Sequence, residues 1–302
     1  MNRWASASKP LVSFEFFPPT DPEMEATLWQ SVRRLAPLSP RFVSVTYGAD
    51  GSTKDRTLEV VQRLQAETTL TVAPHLTSTG SSRAEVLGLA GRYWRSGIRH
   101  LVALRGDTPA AGPAGARGPE PATGFEWGLD LVRALRSVAD FDISVAAYPE
   151  VHPQARSARD DLDNLKAKID AGATRAITQF FFDNDAYLRF RDQCAAAGIS
   201  APIVPGILPI LRFQQVQRFA RRCGASIPAW ICQRFDGLDD DAETRRLLGA
   251  AVALEQVERL QRQGVNEFHF YTLNRAELSY AICHALGIRA PAEVAVSARA
   301  GT

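Results

Sequence analysis

Eight short runs rich in Val, Ile and aromatic residues recur along this chain, at 11–17, 42–47, 70–75, 100–105, 143–148, 176–182, 203–208 and 267–272. That composition is typical of strands. Between most of them, at 27–38, 56–66, 83–96, 128–138, 158–171, 186–196 and 212–222, apolar residues fall three and four apart, the spacing of amphipathic helices. Strands that alternate with helices pair in parallel through crossovers, which predicts an α/β fold, a (β/α)8 TIM barrel. Polar residues sit where the strands end: Glu15, Thr46, His75, Asp107, Tyr148, Gln179, Asn274 and Arg275. In such a barrel the loops after the strands build one rim, so these residues are expected around a single pocket.

A chain of 302 residues is ordinary for one barrel, and residues 1–302 are read as one catalytic domain with flexible tails at 1–10 and 290–302. Extra helical structure is expected between the seventh and eighth strands. There Asp239, Asp240 and Asp241 open a helix whose apolar stripe runs through Leu247, Leu248, Ala251, Leu254, Val257 and Leu260, and Gly264 closes it. One segment, 108–124, holds four prolines and four glycines directly after the fourth strand. It can be neither helix nor strand. It is either a passive surface insertion or a flap over the rim.

Charge and cysteine usage exclude several classes. Basic and acidic residues number 35 and 33 and are interspersed, so no basic stripe marks a nucleic acid or anionic lipid as partner. Cys194, Cys223, Cys232 and Cys283 form no C-x-x-C pair, so neither a zinc cluster nor a disulfide framework is indicated. The N-terminus lacks an apolar signal core, and the longest apolar run, 247–254, is too short to span a bilayer. A cytoplasmic protein without a membrane partner is expected.

Among candidate chemical groups Glu15 stands out, because strand alternation places it opposite Phe14 and Phe16 and Pro18 ends the strand. Desolvation at such a position would raise its pKa and keep a proton available, as a general acid requires. The competing reading is a salt-bridged core carboxylate. Gly106 lets the backbone turn beside Asp107 or approach a flat ligand closely. The four lysines, Lys9, Lys54, Lys166 and Lys168, include none at a strand end, which removes a Schiff-base aldolase. Five scattered histidines without H-x-H or H-E-x-x-H argue against a metal hydrolase, and no metal site is expected. The pattern G-x-S-x-G is absent, and so is G-x-G-x-x-G. What remains is a pocket for a cofactor that carries its own reactivity.

Eight segments in order carry a resemblance: Ser13-Phe-Glu-Phe-Phe-Pro-Pro19, Ser44-Val-Thr-Tyr-Gly-Ala49, Ala73-Pro-His-Leu-Thr77, Leu104-Arg-Gly-Asp107, Ala147-Tyr-Pro-Glu-Val-His-Pro153, Thr178-Gln-Phe-Phe-Phe182, Pro205-Gly-Ile-Leu-Pro209 and Phe268-His-Phe-Tyr-Thr-Leu-Asn-Arg275. Together, from about residue 12 to 287, they resemble the bacterial, FAD-dependent methylenetetrahydrofolate reductases. The resemblance implies FAD held on the rim by Thr46, His75, Arg105, Gly106, Asp107, Tyr148, His152, Asp161, Asn164 and Lys168, with the family's Tyr-Ala flavin contact falling at Trp127 and Gly128. Lys168 and Arg105 would offset phosphate charge, and Asp161 and Asn164 would bind hydroxyls.

On the substrate face the resemblance implies Glu15, Asp107, Gln179, Gln215, Phe219 and Arg275. Gln179 suits a pterin edge, Phe219 a stacking partner, and Arg275 an anionic glutamate tail. The implied activity is a ping-pong reduction of 5,10-methylenetetrahydrofolate to 5-methyltetrahydrofolate by NAD(P)H, supplying methyl groups for methionine synthesis. Glu15 would protonate N10, and Asp107 would tune the flavin. A homo-oligomer, such as a tetramer, is also implied. Two alternatives stay open, a non-catalytic folate or flavin binder and another flavin oxidoreductase on the same barrel; Glu15 and Gln179 favour the reductase.

Overall fold

The computed structural model describes residues 9–47, 54–77, 81–106, 125 and 128–291. Nine parallel strands and ten α-helices alternate among them: β1 (Leu11–Phe16), α1 (Pro22–Leu35), β2 (Val43–Val45), α2 (Lys54–Glu67), β3 (Val72–Thr77), α3 (Arg83–Arg95), β4 (His100–Leu104), α4 (Gly128–Val138), β5 (Asp142–Ala147), α5 (Ala158–Asp170), β6 (Arg175–Thr178), α6 (Asn184–Ala196), β7 (Ile203–Val204), β8 (Gly206–Ile207), α7 (Phe213–Cys223), α8 (Ala229–Phe235), α9 (Ala242–Arg262), β9 (Glu267–Tyr271) and α10 (Glu277–Ala285). The sheet order is β7-β6-β5-β4-β3-β2-β1-β9-β8, and its two end strands are contiguous in sequence. Ile203 to Ile207 therefore serve as one stave that pairs β6 on one side and β9 on the other, closing an eight-stave barrel.

The break in that stave has a simple cause. Pro205 has no N–H to give to a ladder, but its carbonyl accepts from His269 N at 3.0 Å. Elsewhere the strands follow their alternation: Val12, Phe14 and Phe16 of β1 are buried towards the helices, while Ser13 and Glu15 face the barrel interior. Each large apolar side chain so buried contributes roughly 1.5–3 kcal/mol.

Helix ends are set locally. Asp21 accepts from Met24 N and Pro22 opens α1, so this helix starts earlier than the apolar spacing alone predicts. Ser82 and Glu85 form a reciprocal capping box on α3. The helices predicted at 212–222 and after Asp239 to Asp241 are α7 and α9; α8, which the spacing does not predict, lies between them, and the three pack around Phe213, Val216, Ile231, Phe235 and Val252. Gly249 of α9 lies so close to Ile210 that a Cβ there would come within 2.0 Å of its carbonyl oxygen.

The N-terminal end of the barrel is plugged. Arg175 is bracketed by Asp142 at 3.5 Å and Glu267 at 3.4 Å, and its guanidinium lies 5.5 Å from the Phe42 ring. Phe42 also meets His100 edge-on at 4.4 Å and stacks with His269 at 5.7 Å. Burial pushes His100 down to about 4, against the pull of Asp142, so this imidazole is neutral and shares a 2.8 Å hydrogen bond with Ser144 Oγ. Among the described residues this end of the interior is filled by packed side chains. Among the described residues no helix is long and apolar enough to cross a membrane, and all four cysteines are free thiols.

Candidate active site

Glu15 is the penultimate residue of β1, and in the parallel ladders it stands in register with Ser44 and Tyr271. Its Oε2 lies 3.3 Å from His75 Nε2 and 3.7 Å from His269 Nε2, at ion-pair range to both imidazoles. Ser13 Oγ sits 2.7 Å from His269 Nδ1. A Ser13 hydroxyl donating to Nδ1 leaves the proton on Nε2, aimed at Glu15 across 3.7 Å. Desolvation alone would raise the Glu15 pKa, but the His269 and His75 imidazoles overcome it and hold the carboxyl at about 2. The expectation of a raised pKa is thus corrected, because the flanking Phe14 and Phe16 point to the opposite face and the neighbours Glu15 meets are basic. His75 itself lies inside β3, which continues to Thr77, and not at its end.

The end of β1 is clamped. Asn274 accepts from Phe17 N at 2.9 Å and donates to Phe17 O at 2.8 Å, while Thr272 Oγ1 donates to the Glu15 carbonyl at 2.6 Å. Leu273 and Asn274 both adopt left-handed backbone, at φ 51° and 58°. Tyr271 then lies across the rim: its hydroxyl donates to Thr178 O at 2.7 Å, and its ring meets His269 edge-on at 5.4 Å. Only glycine fits beneath it, since a Cβ on Gly206 would come within 2.5 Å of the Tyr271 ring and 2.2 Å of Thr178 O.

The residues expected around a cofactor come from neighbouring strand ends. Thr46 follows β2, and its carbonyl accepts from Thr57 Oγ1 at 2.9 Å. Arg105 and Gly106 follow β4; Gly106 has φ 87°, a backbone only glycine adopts easily, and Arg105 Nη2 donates to Gln154 Oε1 at 2.6 Å. Tyr148 and His152 meet edge-on at 4.5 Å, and Asp161 Oδ2 accepts from His152 N at 2.8 Å. One Asp161 oxygen thus shapes the loop after β5, a use the expected hydroxyl contacts did not include. Lys168 Nζ donates to Ala146 O at 3.0 Å, and burial pushes the amine down to about 8 although Asp161 opposes this. An added Cβ on Gly128 would approach Lys168 Cδ to 3.7 Å, so the start of α4 and the last turn of α5 converge. Asn164 is exposed. Asp107, Trp127 and the segment 108–124 lie outside the described residues.

On the other side, Gln179 follows β6 and its Oε1 accepts from Phe180 N at 3.0 Å. Tyr148, Gln179 and Cys223 line one narrow crevice. Gln215 and Phe219 lie one turn apart on α7, both partly buried, with Phe219 against the Phe180 and Phe213 cluster. Arg275 is exposed on the turn into α10. His269, Ser13 and Tyr271 were not singled out from the sequence. The signal was present, because alternation puts Glu267, His269 and Tyr271 on the interior face of one strand. Among the described residues no group of three or more His, Cys, Asp or Glu is placed to hold a metal ion.

Residues 1–287 match methylenetetrahydrofolate reductase as a family. The chain belongs to that family. The 5,10-methylenetetrahydrofolate reductase of Escherichia coli (strain K12) is 58% identical over 278 residues, covering 92% of this chain and 91% of that protein. A relative from Oryza sativa subsp. japonica, named a probable methylenetetrahydrofolate reductase (NADH), is 34% identical over 94% of this chain but 49% of its own length. A solved Clostridium thermocellum protein that binds two copies of 5-methyl-5,6,7,8-tetrahydrofolic acid has a TM-score of 0.64 at 13% identity, covering 94% of this chain and 97% of that one. At that identity the likeness speaks for the fold alone.

Proposed function

We propose that this protein reduces 5,10-methylenetetrahydrofolate to 5-methyltetrahydrofolate with NAD(P)H as reductant and FAD as bound cofactor, in ping-pong order, as a cytoplasmic homo-oligomer whose product supplies methyl groups for methionine synthesis. The observation that carries the reading is the Glu15 carboxylate at the rim end of β1, held between two imidazoles, in a chain matched to the reductase family over residues 1–287.

The residues present fit FAD. Arg105 and Lys168 supply cationic donors for phosphate, Asp161 an acceptor for hydroxyls, and Tyr148 and His152 aromatic surface. His75 Nε2 is buried and makes no well-formed hydrogen bond, a polar atom that a ligand at the rim could satisfy. When bound, FAD supplies a two-electron carrier between nicotinamide and folate. Asp107 and Trp127 are assigned to the same cofactor through the family resemblance.

The residues of the chain divide the remaining work. Gln179 offers donor and acceptor to a pterin edge, Gln215 and Phe219 present amide and ring from α7, and Arg275 can pair with an anionic tail. Opening the five-membered ring of the substrate needs a proton at N10. At neutral pH Glu15 is ionised, so as the acid it must first be protonated, with His75 Nε2 at 3.3 Å and His269 Nε2 at 3.7 Å as the groups that face its carboxyl. That proton passes from Glu15 to N10. With the proton gone, the two imidazoles stabilise the negative charge that returns to Glu15.

The test is spectroscopic. The purified protein should be yellow, bleach on anaerobic addition of a reduced nicotinamide and regain colour on addition of methylenetetrahydrofolate. Colourless protein that still reduces the folate would remove FAD from the proposal, and yellow protein that the folate cannot reoxidise would leave a flavin protein of another activity.

A further inference from the structure

The loop after β5 carries Tyr148 and His152, the proposed cofactor side, while α7 carries Gln215 and Phe219, the proposed substrate side. The Glu150 side chain joins them. Both oxygens of Glu150 accept from Ser226 N at 3.1 Å, and Oε1 also accepts from Ser226 Oγ. Ser226 lies just past Gly224, the left-handed residue at φ 71° that ends α7.

Two further observations show that this contact seats one segment on the other. Gly224 rests on the β5 loop so closely that a Cβ there would fall 2.9 Å from Pro153 Cγ and 3.8 Å from Val151 O. Val151, next to Glu150, has φ 70°. A β-branched residue takes that conformation only where its surroundings enforce it. Here the constraints come from both sides: Asp161 holds His152 N, and Ser226 holds Glu150. A ligand that moves Tyr148 or His152 therefore pulls on the same few residues that anchor the end of α7.

We infer that Glu150 is a positioning residue that latches the cofactor loop to α7, so that filling the cofactor side sets where Gln215 and Phe219 stand for the second substrate. The cofactor arm of this inference rests on the function proposed above; the mechanical arm does not. The carboxylate suits the task because its charge strengthens the bonds from a backbone N–H and a hydroxyl of one residue together, which a neutral amide matches only in part.

Hydrogen exchange read by mass spectrometry on the whole protein tests the latch in both arms. In the cofactor-free protein, Glu150→Ala should speed exchange in residues 148–155 and in residues 213–226 together, by about fivefold or more, because each loses the partner that holds it. Faster exchange in one segment alone, or in neither, overturns the latch. Adding FAD should slow exchange in α7 of the natural protein and fail to do so in Glu150→Ala; protection of α7 kept in the variant also overturns it. Ser226→Ala keeps the backbone donor and should show the same pattern more weakly, so it carries the test where Glu150→Ala does not fold. In steady state Glu150→Ala should raise the KM for the folate about fivefold or more with kcat little changed, and Glu150→Gln should recover part of it; a fall in kcat with KM intact would contradict positioning. Failure of the natural protein to bind FAD would count against the function proposed above and leave the cofactor-free exchange to decide the latch.

Discussion

Replacing Glu15 with Gln removes a charge and almost no volume, which makes it the sharpest probe of the site. In the fold the Glu15 pKa drops from 4.5 to about 2, so at ~1.36 kcal/mol per unit folding favours the ionised carboxylate over its neutral form by about 3 kcal/mol more than the unfolded chain does. Gln mimics the neutral form. The variant should therefore be less stable by up to ~3 kcal/mol near pH 7, out of a total of roughly 5–15 kcal/mol, and should still fold. The folded-state value is depressed, so this stabilisation is complete above the unfolded value near 4.5 and is lost as pH falls from there towards 2. Urea unfolding of both proteins across that window measures it: the gap should narrow as pH falls, and a gap that did not change would mean that packing, not charge, holds Glu15.

The same variant separates the chemistry. Hydride transfer from a nicotinamide needs no acid, so flavin reduction should be nearly intact, while folate reduction should fall by the ~10²–10⁴-fold typical of a lost general acid. Stopped-flow absorbance follows each half-reaction alone. Equal losses in both would make Glu15 structural and refute the proton assignment.

Three other substitutions test the frame around it. Burial holds Lys168 near 8, so its charge fades as pH rises through that value; FAD affinity by fluorescence titration should fall across the same range, and Lys168→Met should weaken binding ~10–100-fold and flatten the pH dependence, as expected for one charge-assisted contact. A pH dependence that survives in Lys168→Met would acquit the lysine. Gly206→Ala forces a Cβ against Tyr271 and Thr178 O, and overpacking of this kind should cost ~1–3 kcal/mol in urea unfolding and disturb the near-ultraviolet dichroism of Tyr271; a neutral effect would show that the floor yields. Asn274→Ala strips both hydrogen bonds from the Phe17 backbone and should destabilise by ~2–3 kcal/mol, with larger loss of folate than nicotinamide activity because the clamp fixes the end of β1.

The architecture was readable because alternation and helical spacing are local signals. Each of the eight predicted staves is present, and the seventh divides only because Pro205 interrupts its ladder. Two helices escaped notice. Helix α8 has a single apolar turn, Ile231 to Phe235, and α10 follows directly on the β9 turn with no side-chain cap. The electrostatics of Glu15 were not local: its sequence neighbours face away, and the groups that set its pKa come from β3 and β9.

Strand direction is what sorts the remaining polar residues. His100, Asp142, Arg175 and Glu267 are titratable, close together and buried or partly so, a set that composition alone would offer as an active site. Each is the first residue of its strand, β4, β5, β6 and β9. They therefore gather at the N-terminal end, where they pair with one another around Phe42. Glu15 stands near the end of β1, and Gln179, Tyr148 and Arg105 immediately follow the ends of theirs, which puts their polar groups where loops and ligands meet. A parallel barrel gives every strand the same polarity, so position along a strand assigns a charged residue to the plug or to the rim before any contact is measured. His269 lies between the two zones, stacked on Phe42 below and facing Glu15 above. Through that one imidazole the packing of the plug fixes the position of a group that sets the charge on the proposed acid.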